Sequence, residues 1–222
     1  MSSASTIITI DGPAASGKTS VSRMLAQRHG WAWVSTGAFY RGLAYIAKRE
    51  GLSLDDETAI AKLCSADFWE VRMSHERTLV VFRGEDVTSQ IYSEDVGLAA
   101  SSISRYAKVR ANLLEAQRRC ADGVVGSVAE GRDCGTVIFP DADLKIFLTA
   151  GSENRAERRA KEQGKDVAEM RTAQVLRDHQ DSSRPTAPMQ IPADAHVIDS
   201  SGLALGEVVD ILDNLTRKEL EL

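Results

Sequence analysis

Eight residues near the N-terminus have the types and spacing of a loop that binds phosphate. They read Gly12-Pro13-Ala14-Ala15-Ser16-Gly17-Lys18-Thr19 and match the pattern G-x-x-x-x-G-K-[ST]. Its glycines let backbone N–H groups face a phosphate, and the following helix start adds a positive dipole end. We expect Lys18 to reach the β- and γ-phosphates and Thr19 to bind Mg²⁺. The loop, with Ser20 after it, predicts a nucleoside triphosphate site.

Arginines at predicted ends of helices and strands are a second group that could do chemistry. They are Arg41, Arg110, Arg132, Arg177 and Arg184. A guanidinium group can bind a phosphate through two parallel hydrogen bonds. If these side chains converge near the loop, they would form a site for a second phosphorylated ligand.

The loop alone leaves open which reaction the nucleotide serves. A GTPase would carry guanine-reading signatures, and the string N-K-x-D is absent. A motor or transporter ATPase would have an acidic strand end that holds Mg²⁺ through water, and the nearest candidate is Ala129-Glu130. Both interpretations are weaker than transfer to a small molecule. An ATP-binding module without enzymatic activity and an ATPase stimulated by nucleic acid are further alternatives.

Composition narrows the class of protein. The chain has 222 residues, 43% hydrophobic and 27% charged, and its three cysteines form no C-x-x-C pair. A chain of this size predicts one globular domain that needs neither structural metal nor disulfides. The odd number and wide spacing of the cysteines predict a reducing compartment. The formal net charge of −5 disfavours nucleic-acid binding. No apolar run could span a bilayer and residues 1–6 do not resemble a signal peptide, so we expect a cytoplasmic protein.

The elements on either side of the loop must hold it in place. Residues 6–11 form a β-branched run typical of a strand buried on both faces, and apolar residues recur at helical spacing from Lys18 to His29. A second strand is predicted over 31–34, followed by a helix that ends at Gly51. The chain therefore begins in the order β-α-β-α.

The middle of the chain has a different pattern. A helix is predicted over 55–66, and strands over 68–73 and 78–82 flank a polar turn. Residues 84–86 predict another turn. Helical patterns return over 94–104 and 109–120. We interpret this region as a small antiparallel sheet inserted between α/β elements.

The remaining residues complete the main sheet. Buried strands are predicted over 124–129, 144–148 and 197–198, a charged helical region runs from Glu153 towards His179, and a last helix carries Leu205 to Leu215. Strands alternating with helices predict a doubly wound, parallel α/β sheet with right-handed crossovers.

Four segments resemble the bacterial cytidylate kinase family. Residues 10–13, 35–41, 130–140 and 145–148 read IDGP, STGAFYR, EGRDCGTVIFP and KIFL, and the resemblance runs from about Ile7 to Leu212. It implies a nucleoside monophosphate kinase of the P-loop NTPase type with a five-stranded parallel core, an antiparallel monophosphate-binding insert and a mobile helical lid. The implied single domain has its core at about 1–36, 107–152 and 194–222, its insert at about 37–106 and its lid at about 153–193.

The resemblance implies substrate-binding roles for two groups of residues. The acceptor phosphate would be held by Thr36, Tyr40, Arg41 and Arg132. The cytosine edge would be read by Ser101, Arg110 and Asp133. A carboxylate can accept from the exocyclic amino group of cytosine, and arginine and serine can donate to its carbonyl and ring nitrogen. Such a set would reject uracil, whose carbonyl would face the carboxylate.

The resemblance also implies roles for the C-terminal arginines. Arg177, Asp181 and Arg184 match a family pattern, R-D-x-x-D-x-x-R, that reaches sugar hydroxyls and phosphates. The lid would contact the phosphates of ATP through Arg155, Arg158 and Arg159. Charge on the transferring phosphoryl group would be neutralised by the catalytic residues Lys18, Arg132 and Arg184, together with Mg²⁺.

The sequence departs from the usual family pattern at four positions. Ser35 and Glu130 stand where the family usually has Asp, Cys134 stands where it has Met, and Ala15 stands where it has a second loop glycine. We interpret Ala15 and Cys134 as packing changes. Glu130 keeps a carboxylate on a longer side chain.

The implied reaction moves the γ-phosphoryl group of Mg·ATP to the phosphate of CMP or dCMP, giving ADP and the diphosphate. UMP, AMP or a small metabolite remain alternative acceptors. The acceptor phosphate has a second pKa of about 6 and is largely ionised near pH 7, so no general base is expected. We expect a monomer that binds small nucleotides and neither nucleic acid nor membrane.

Overall fold

A computed structural model describes residues 5–73 and 77–222 of the chain. The polar turn predicted before residue 78 falls mostly on residues 74–76, and the segment compared with a signal peptide includes residues 1–4. These two parts of the sequence predictions lie outside the described residues.

Strands and helices alternate along most of the described chain. The strands are β1 (Thr6–Asp11), β2 (Ala32–Ser35), β3 (Trp69–Met73), β4 (Thr78–Phe82), β5 (Glu85–Asp86), β6 (Gly126–Gly131), β7 (Leu144–Thr149) and β8 (His196–Asp199). The helices are α1 (Lys18–His29), α2 (Thr36–Arg49), α3 (Glu57–Leu63), α4 (Glu94–Ile103), α5 (Ala107–Arg118), α6 (Ser152–Gln163), α7 (Val167–Ser183) and α8 (Leu205–Glu219). A π-helical turn spans Cys134–Ile138.

Five of the strands form a parallel sheet in the order β2-β6-β1-β7-β8. The central strand β1 pairs Asp11 with Gly131 of β6 and with Phe147 of β7. Because all five strands run the same way, the loop after β1 and the turn after β6 leave the same edge of the sheet. Ligands of open α/β sheets bind at this carboxyl edge.

Helices cover both faces of the sheet. On one face, Val21 and Leu25 of α1 pack with Val208, Val209 and Leu212 of α8. The opposite face is covered by the apolar sides of α2 and α5. Burial on both faces explains the continuous apolar runs of the strands. The predicted five-stranded, doubly wound α/β fold is confirmed.

The inserted region contains the expected antiparallel sheet, in the order β3-β4-β5. Residues 84–86 were expected to form a turn, but Glu85 and Asp86 pair with Phe82 and Val81. The reversal occurs one step earlier, at Arg83 and Gly84, which both have positive φ. This shift brings a third, short strand onto the sheet.

Two further differences from the predicted boundaries concern residues near the carboxyl edge of the sheet and the two helices after β7. Strand β6 continues to Gly131, past the predicted end at residue 129, so Glu130 lies in the sheet. The charged region after Glu153 forms two helices, because Gly164 ends α6 in the left-handed conformation. Helices α6 and α7 can therefore pack side by side.

The remaining sequence predictions concern the cysteines, the tryptophans and membrane-spanning helices. Cys120 and Cys134 are buried and Cys64 is half-buried, and all three are free. Trp31, Trp33 and Trp69 are buried in the hydrophobic clusters, as expected. Of the helices formed by residues 5–73 and 77–222, none has the length and apolar character needed to cross a membrane.

Candidate active site

A cavity of about 450 Å³ lies at the carboxyl edge of the parallel sheet. The loop after β1, the start of α2, the turn after β6 and helices α4, α6 and α7 surround it. Eighteen of the residues expected to bind ligands line it. They are Ala14, Ala15, Ser16, Gly17, Lys18, Thr19, Ser20, Thr36, Tyr40, Arg41, Ser101, Arg132, Asp133, Arg158, Arg159, Arg177, Asp181 and Arg184.

Four other residues that were expected to bind ligands do not line the cavity but lie next to residues that do. Gly12 and Pro13 begin the loop at the end of β1. Arg110 reaches the cavity through its contact with Asp133. Arg155 is buried against the loop backbone. These four contact the site from outside its surface.

The phosphate-binding loop, residues 12–19, has an unusual backbone. Gly12 has a φ of 152°, and a Cβ there would lie 2.0 Å from the carbonyl oxygen of Leu148. Gly17 has a φ of 92°. Ala15 also adopts a left-handed conformation, with a φ of 58°. Our interpretation of Ala15 as a packing change was therefore wrong, because the backbone of Ala15 adopts a conformation that glycine favours and that a Cβ makes costly.

Lys18 is buried at the base of the loop. Its Nζ donates to the carbonyl oxygen of Pro13 at 2.6 Å and lies 3.4 Å from Ser16 Oγ. Burial, with the nearby charge of Arg132, lowers the pKa of Lys18 to about 7. An anion bound in the loop would restore the charge of this ammonium group.

Hard oxygen donors meet where the loop approaches β6. Thr19 Oγ1 lies 3.4 Å from Glu130 Oε1, which accepts a hydrogen bond from Ser35 Oγ at 2.5 Å. Hydroxyl and carboxylate oxygens are donors that suit Mg²⁺. Within the described parts of the chain, no three His, Cys, Asp or Glu side chains form a metal cluster. A Mg²⁺ ion here would therefore keep water and substrate phosphates as ligands, as is usual for this ion.

Asp133 lies between two arginines in the opposite part of the cavity. Its Oδ2 accepts from Arg110, and its Oδ1 accepts from Arg184 Nη2 at 2.8 Å. All three side chains are buried. Because each carboxylate oxygen can accept more than one hydrogen bond, Asp133 keeps the capacity to accept from a ligand. Ser101, the third residue expected to read the base, lines the same cavity.

Arg132 and Asp181 form a second, partly buried ion pair, with Nε 2.7 Å from Oδ2. Burial alone would lower the pKa of Arg132, but Asp181 and Glu130 hold it above its ordinary value. Arg132 is also a charged neighbour of Lys18. Arg132 is therefore close enough to influence Lys18 of the loop while it is paired with Asp181 on the arginine-rich side of the cavity.

Helix α2 contributes three of the expected acceptor residues. Arg41 Nη1 donates to the carbonyl oxygen of Ile91 at 2.9 Å, and its guanidinium fits against Gly97 of α4. Thr36 Oγ1 donates to the carbonyl oxygen of Glu130 at 2.9 Å. The buried Tyr40 hydroxyl has no hydrogen-bond partner within residues 5–73 and 77–222. Tyr40 lines the cavity, so this unpartnered hydroxyl belongs to the cavity wall.

Sequence reasoning gave no role to two carboxylates at this site. Glu94, at the start of α4, accepts from Arg159 at 2.7 Å, Gln163 at 3.0 Å and Arg177 at 3.5 Å. Asp178 of α7 contacts both Arg155 and the backbone of Ala14. Asp178 belongs to the R-D-x-x-D-x-x-R pattern, which could have marked it. No local sequence signal marks Glu94, which lies 65 residues from Arg159.

A parallel sheet, a phosphate-binding loop after its central strand and several arginines around one cavity are the arrangement of a P-loop phosphotransferase. A family model described as "Cytidylate kinase" matches residues 8–218. The chain belongs to the cytidylate kinase family, and the family and enzyme class expected from the sequence are confirmed.

Two relatives illustrate the extent of this similarity. A cytidylate kinase of Bdellovibrio bacteriovorus is 55% identical over 96% of this chain and 99% of its own. A cytidylate kinase of a Geobacter species is 39% identical over 96% of this chain and 94% of its own. The similarity therefore includes the core, the inserted region and helices α6 and α7.

Solved structures with low sequence identity share the fold. A gluconokinase from Sinorhizobium meliloti superposes with a TM-score of 0.51 at 14% identity, covering 98% of this chain and 95% of its own. The protein TT1252 from Thermus thermophilus superposes with a TM-score of 0.50 at 17% identity, covering 99% of each chain. These similarities support the architecture only.

Proposed function

We propose that this chain transfers the γ-phosphoryl group of ATP to CMP or dCMP, giving ADP and CDP or dCDP. The observation that carries the proposal is one cavity lined both by the phosphate-binding loop and by the Arg132, Asp133 and Arg184 cluster. Relatives named cytidylate kinase along nearly the full chain support cytosine nucleotides as acceptors.

The loop side of the cavity is proposed to bind Mg·ATP. Backbone N–H groups of the loop and the start of α1 would face the phosphates, and Lys18 would turn from Pro13 towards the β- and γ-phosphates. Thr19, with Glu130 behind it, would hold Mg²⁺, which would neutralise charge between the β- and γ-phosphates when bound. Arg158 and Arg159, from the proposed lid, line the cavity close to this region.

The arginine side is proposed to bind the acceptor. Arg41, Arg132 and the free hydroxyl of Tyr40 would hold its phosphate, with Thr36 beside them. Arg177, Asp181 and Arg184 would contact the sugar and phosphate. Asp133, held by Arg110 and Arg184, would accept from the exocyclic amino group of cytosine, with Ser101 nearby.

The reaction needs positioning and charge neutralisation more than proton transfer. The ionised acceptor phosphate attacks the γ-phosphorus, its new bond forms to that atom, and ADP leaves with the electrons of the broken bond. Lys18, Arg132 and Arg184 would stabilise the charge of the transferring group. Closure of the proposed lid, formed by α6 and α7, would exclude water, which would otherwise hydrolyse ATP.

The choice of acceptor is the part of this proposal that distinguishes it from other kinases. A UMP carbonyl would face the Asp133 carboxylate without a donor, which leaves a buried polar group unpaired. AMP or a small metabolite differs in shape from CMP and would have to bind to the same arginine cluster. We also propose that the enzyme is a cytoplasmic monomer, and size-exclusion chromatography with light scattering tests the oligomeric part.

The test is an ADP-release assay with Mg·ATP and CMP, dCMP, UMP, AMP or GMP in parallel, with a control that lacks acceptor. We expect CMP and dCMP to be phosphorylated well above the others. Preference for another nucleotide would refute the role of Ser101, Arg110 and Asp133 in reading cytosine. If none of the acceptors increases ADP release, the kinase proposal itself is refuted.

A further inference from the structure

Two side chains from the proposed lid contact the phosphate-binding loop at one residue. Asp178 Oδ1 accepts from the backbone N–H of Ala14 at 3.2 Å. Arg155 Nη1 donates to the carbonyl oxygen of Ala14 at 2.9 Å. The same Nη1 lies 2.6 Å from Asp178 Oδ2. An ion pair between α6 and α7 therefore binds both backbone groups of one loop residue.

The guanidinium group of Arg155 binds groups of the protein itself. Its Nε donates to the carbonyl oxygen of Ala150 at 3.0 Å, and its own carbonyl oxygen accepts from Gln174 at 2.9 Å. Its side chain is buried and does not line the cavity. Arg158 and Arg159, on the same helix, do line it. Arg155 is thus oriented towards the loop backbone, and the other two arginines face the ligand space.

The contacted residue precedes the strained position of the loop. Ala15 has a φ of 58°, which L side chains rarely adopt, and the residues that follow it, Ser16 to Thr19, line the cavity. Strain of this kind persists only where the surroundings hold it. Arg155 and Asp178, which are 141 and 164 residues from Ala14 in sequence, supply such a support.

We propose that Arg155 and Asp178 are positioning residues that hold the loop in its phosphate-binding conformation through Ala14. The inference rests on the proposed function, since it assigns the loop to ATP. It gives the lid helices a second task besides covering the substrate. A movement of α6 or α7 changes the support of Ala14, and the geometry of the loop changes with it.

The test separates this role from general stabilisation of the fold. Asp178→Ala removes the acceptor for the Ala14 N–H and the partner of Arg155. We expect its KM for ATP to rise about tenfold, the scale of a charge-assisted hydrogen bond, with a smaller change in KM for CMP. The affinity for a fluorescent ATP analogue with Mg²⁺ is expected to fall by the same factor. Asp178→Asn keeps an acceptor for the N–H and is expected to recover part of the loss.

A second substitution tests the link to loop strain. Ala15→Gly removes the Cβ that makes the left-handed conformation unfavourable, so the loop needs less support. In the Asp178→Ala background we expect Ala15→Gly to restore ATP affinity about threefold or more, a change on the scale of left-handed strain. Failure of Ala15→Gly to restore any affinity would overturn the proposal.

A matched control breaks another contact between the same two helices. Arg171 Nη1 lies 3.3 Å from Glu153 Oε2, both side chains are exposed, and neither residue lines the cavity. Arg171→Gln is expected to leave both KM values unchanged. A rise in KM for ATP in this variant equal to that of Asp178→Ala would show a general effect of helix packing and refute the role of Ala14.

Folding and function are checked separately. Thermal unfolding shows whether Asp178→Ala is folded at the assay temperature. If it is not, Arg155→Met replaces it with the same expectations, because methionine keeps a long side chain but removes Nη1, which contacts both Ala14 and Asp178. Unchanged nucleotide affinity in the folded variant overturns the positioning role. Absence of CMP phosphorylation by the wild-type enzyme refutes the proposed function instead, since the analogue-binding measurement does not depend on an acceptor.

Discussion

The two halves of the cavity are built by different means. The loop half, residues 12–20, is made from one continuous segment whose backbone conformation creates the site. The arginine half consists of Arg110, Arg132, Asp133, Asp181 and Arg184, joined by ion pairs that are buried around Asp133 and partly buried at Asp181. Its partners lie between 23 and 51 residues apart in the sequence. The ligand-binding groups of the loop half come from one local segment, which the ion pair of Arg155 and Asp178 supports, whereas those of the arginine half are brought together by tertiary contacts between charged groups.

This difference affects how each half responds to substitution. Backbone donors in the loop half remain when side chains are changed, but the conformation that orients them can be lost. In the arginine half, removing one member leaves a buried charge without its partner, which is costly. We therefore expect single substitutions to separate the two halves by which substrate they affect.

The largest expected effect comes from Lys18, the one charged side chain of the loop half. Lys18→Ala is expected to lower kcat by on the order of a thousandfold, because an ammonium group that stabilises the transferring phosphoryl is lost. Steady-state assays measure the change, and circular dichroism checks the fold. The exposed Lys48 provides the control, and Lys48→Ala is expected to leave kcat unchanged. Turnover near the wild-type rate in Lys18→Ala would contradict the role of the loop.

The next effect tests the arginine half. Asp133→Asn keeps the shape of the side chain but presents an amide donor among groups that need an acceptor. We expect the preference for CMP over UMP, measured as the ratio of kcat/KM, to fall by roughly tenfold to a hundredfold, the scale of a mispaired buried polar group. The KM for ATP is expected to change much less. A rise in KM for ATP alone would show that Asp133 does not read the base.

The sequence predicted the loop half well because its pattern is local. The motif at residues 12–19, the strand before it and the helix after it were all visible in one segment. The left-handed Ala15 was misinterpreted, since a residue type does not reveal its own φ. The arginine half was predicted only through resemblance to a family. Its ion pairs, like those of the neighbouring Glu94 with Arg159 and Arg177, depend on contacts across the fold that no sequence spacing predicts.

Asp11 connects the two halves and gives a pH-dependent prediction. It ends β1 just before the loop, and its carboxylate accepts from the N–H groups of Cys134 at 2.9 Å and Gly135 at 2.7 Å, directly after Asp133. Burial raises the pKa of Asp11 to about 6. The folded state therefore binds this proton more tightly than the unfolded state, and the stability contribution is lost as the pH rises through about 6.

Asp11→Asn removes this titration but also one of the accepted hydrogen bonds. We expect the free energy of unfolding of the variant, relative to wild type, to be about 1 kcal/mol higher (the variant more stable) at pH 7 than at pH 5. Urea denaturation at the two pH values measures the difference. The carboxylate of Asp55 is 88% exposed, and Asp55→Asn serves as the control with no such difference. A difference of the opposite sign would show that Asp11 is charged more easily in the folded state.

The smallest expected effect concerns Glu94, which joins the inserted helix α4 to the lid helices. Its carboxylate forms ion pairs with Arg159 and Arg177, two cations that a ligand phosphate would also contact. Although burial raises it, hydrogen bonds from Arg159 and Gln163 hold the pKa of Glu94 below its ordinary value. The carboxylate is therefore ionised near pH 7 and competes with phosphate for these two arginines.

Glu94→Gln keeps the size of the side chain and removes its charge. If Glu94 competes with substrate phosphate, KM for CMP is expected to fall about threefold, the scale of a partly exposed ion pair, with little change in kcat. The competition should weaken in high salt, so the gap between variant and wild type should narrow there. A rise in KM would mean instead that Glu94 orients the two arginines for the ligand. In that case the arginine half would require an intact carboxylate on α4 in addition to Asp133 and Asp181.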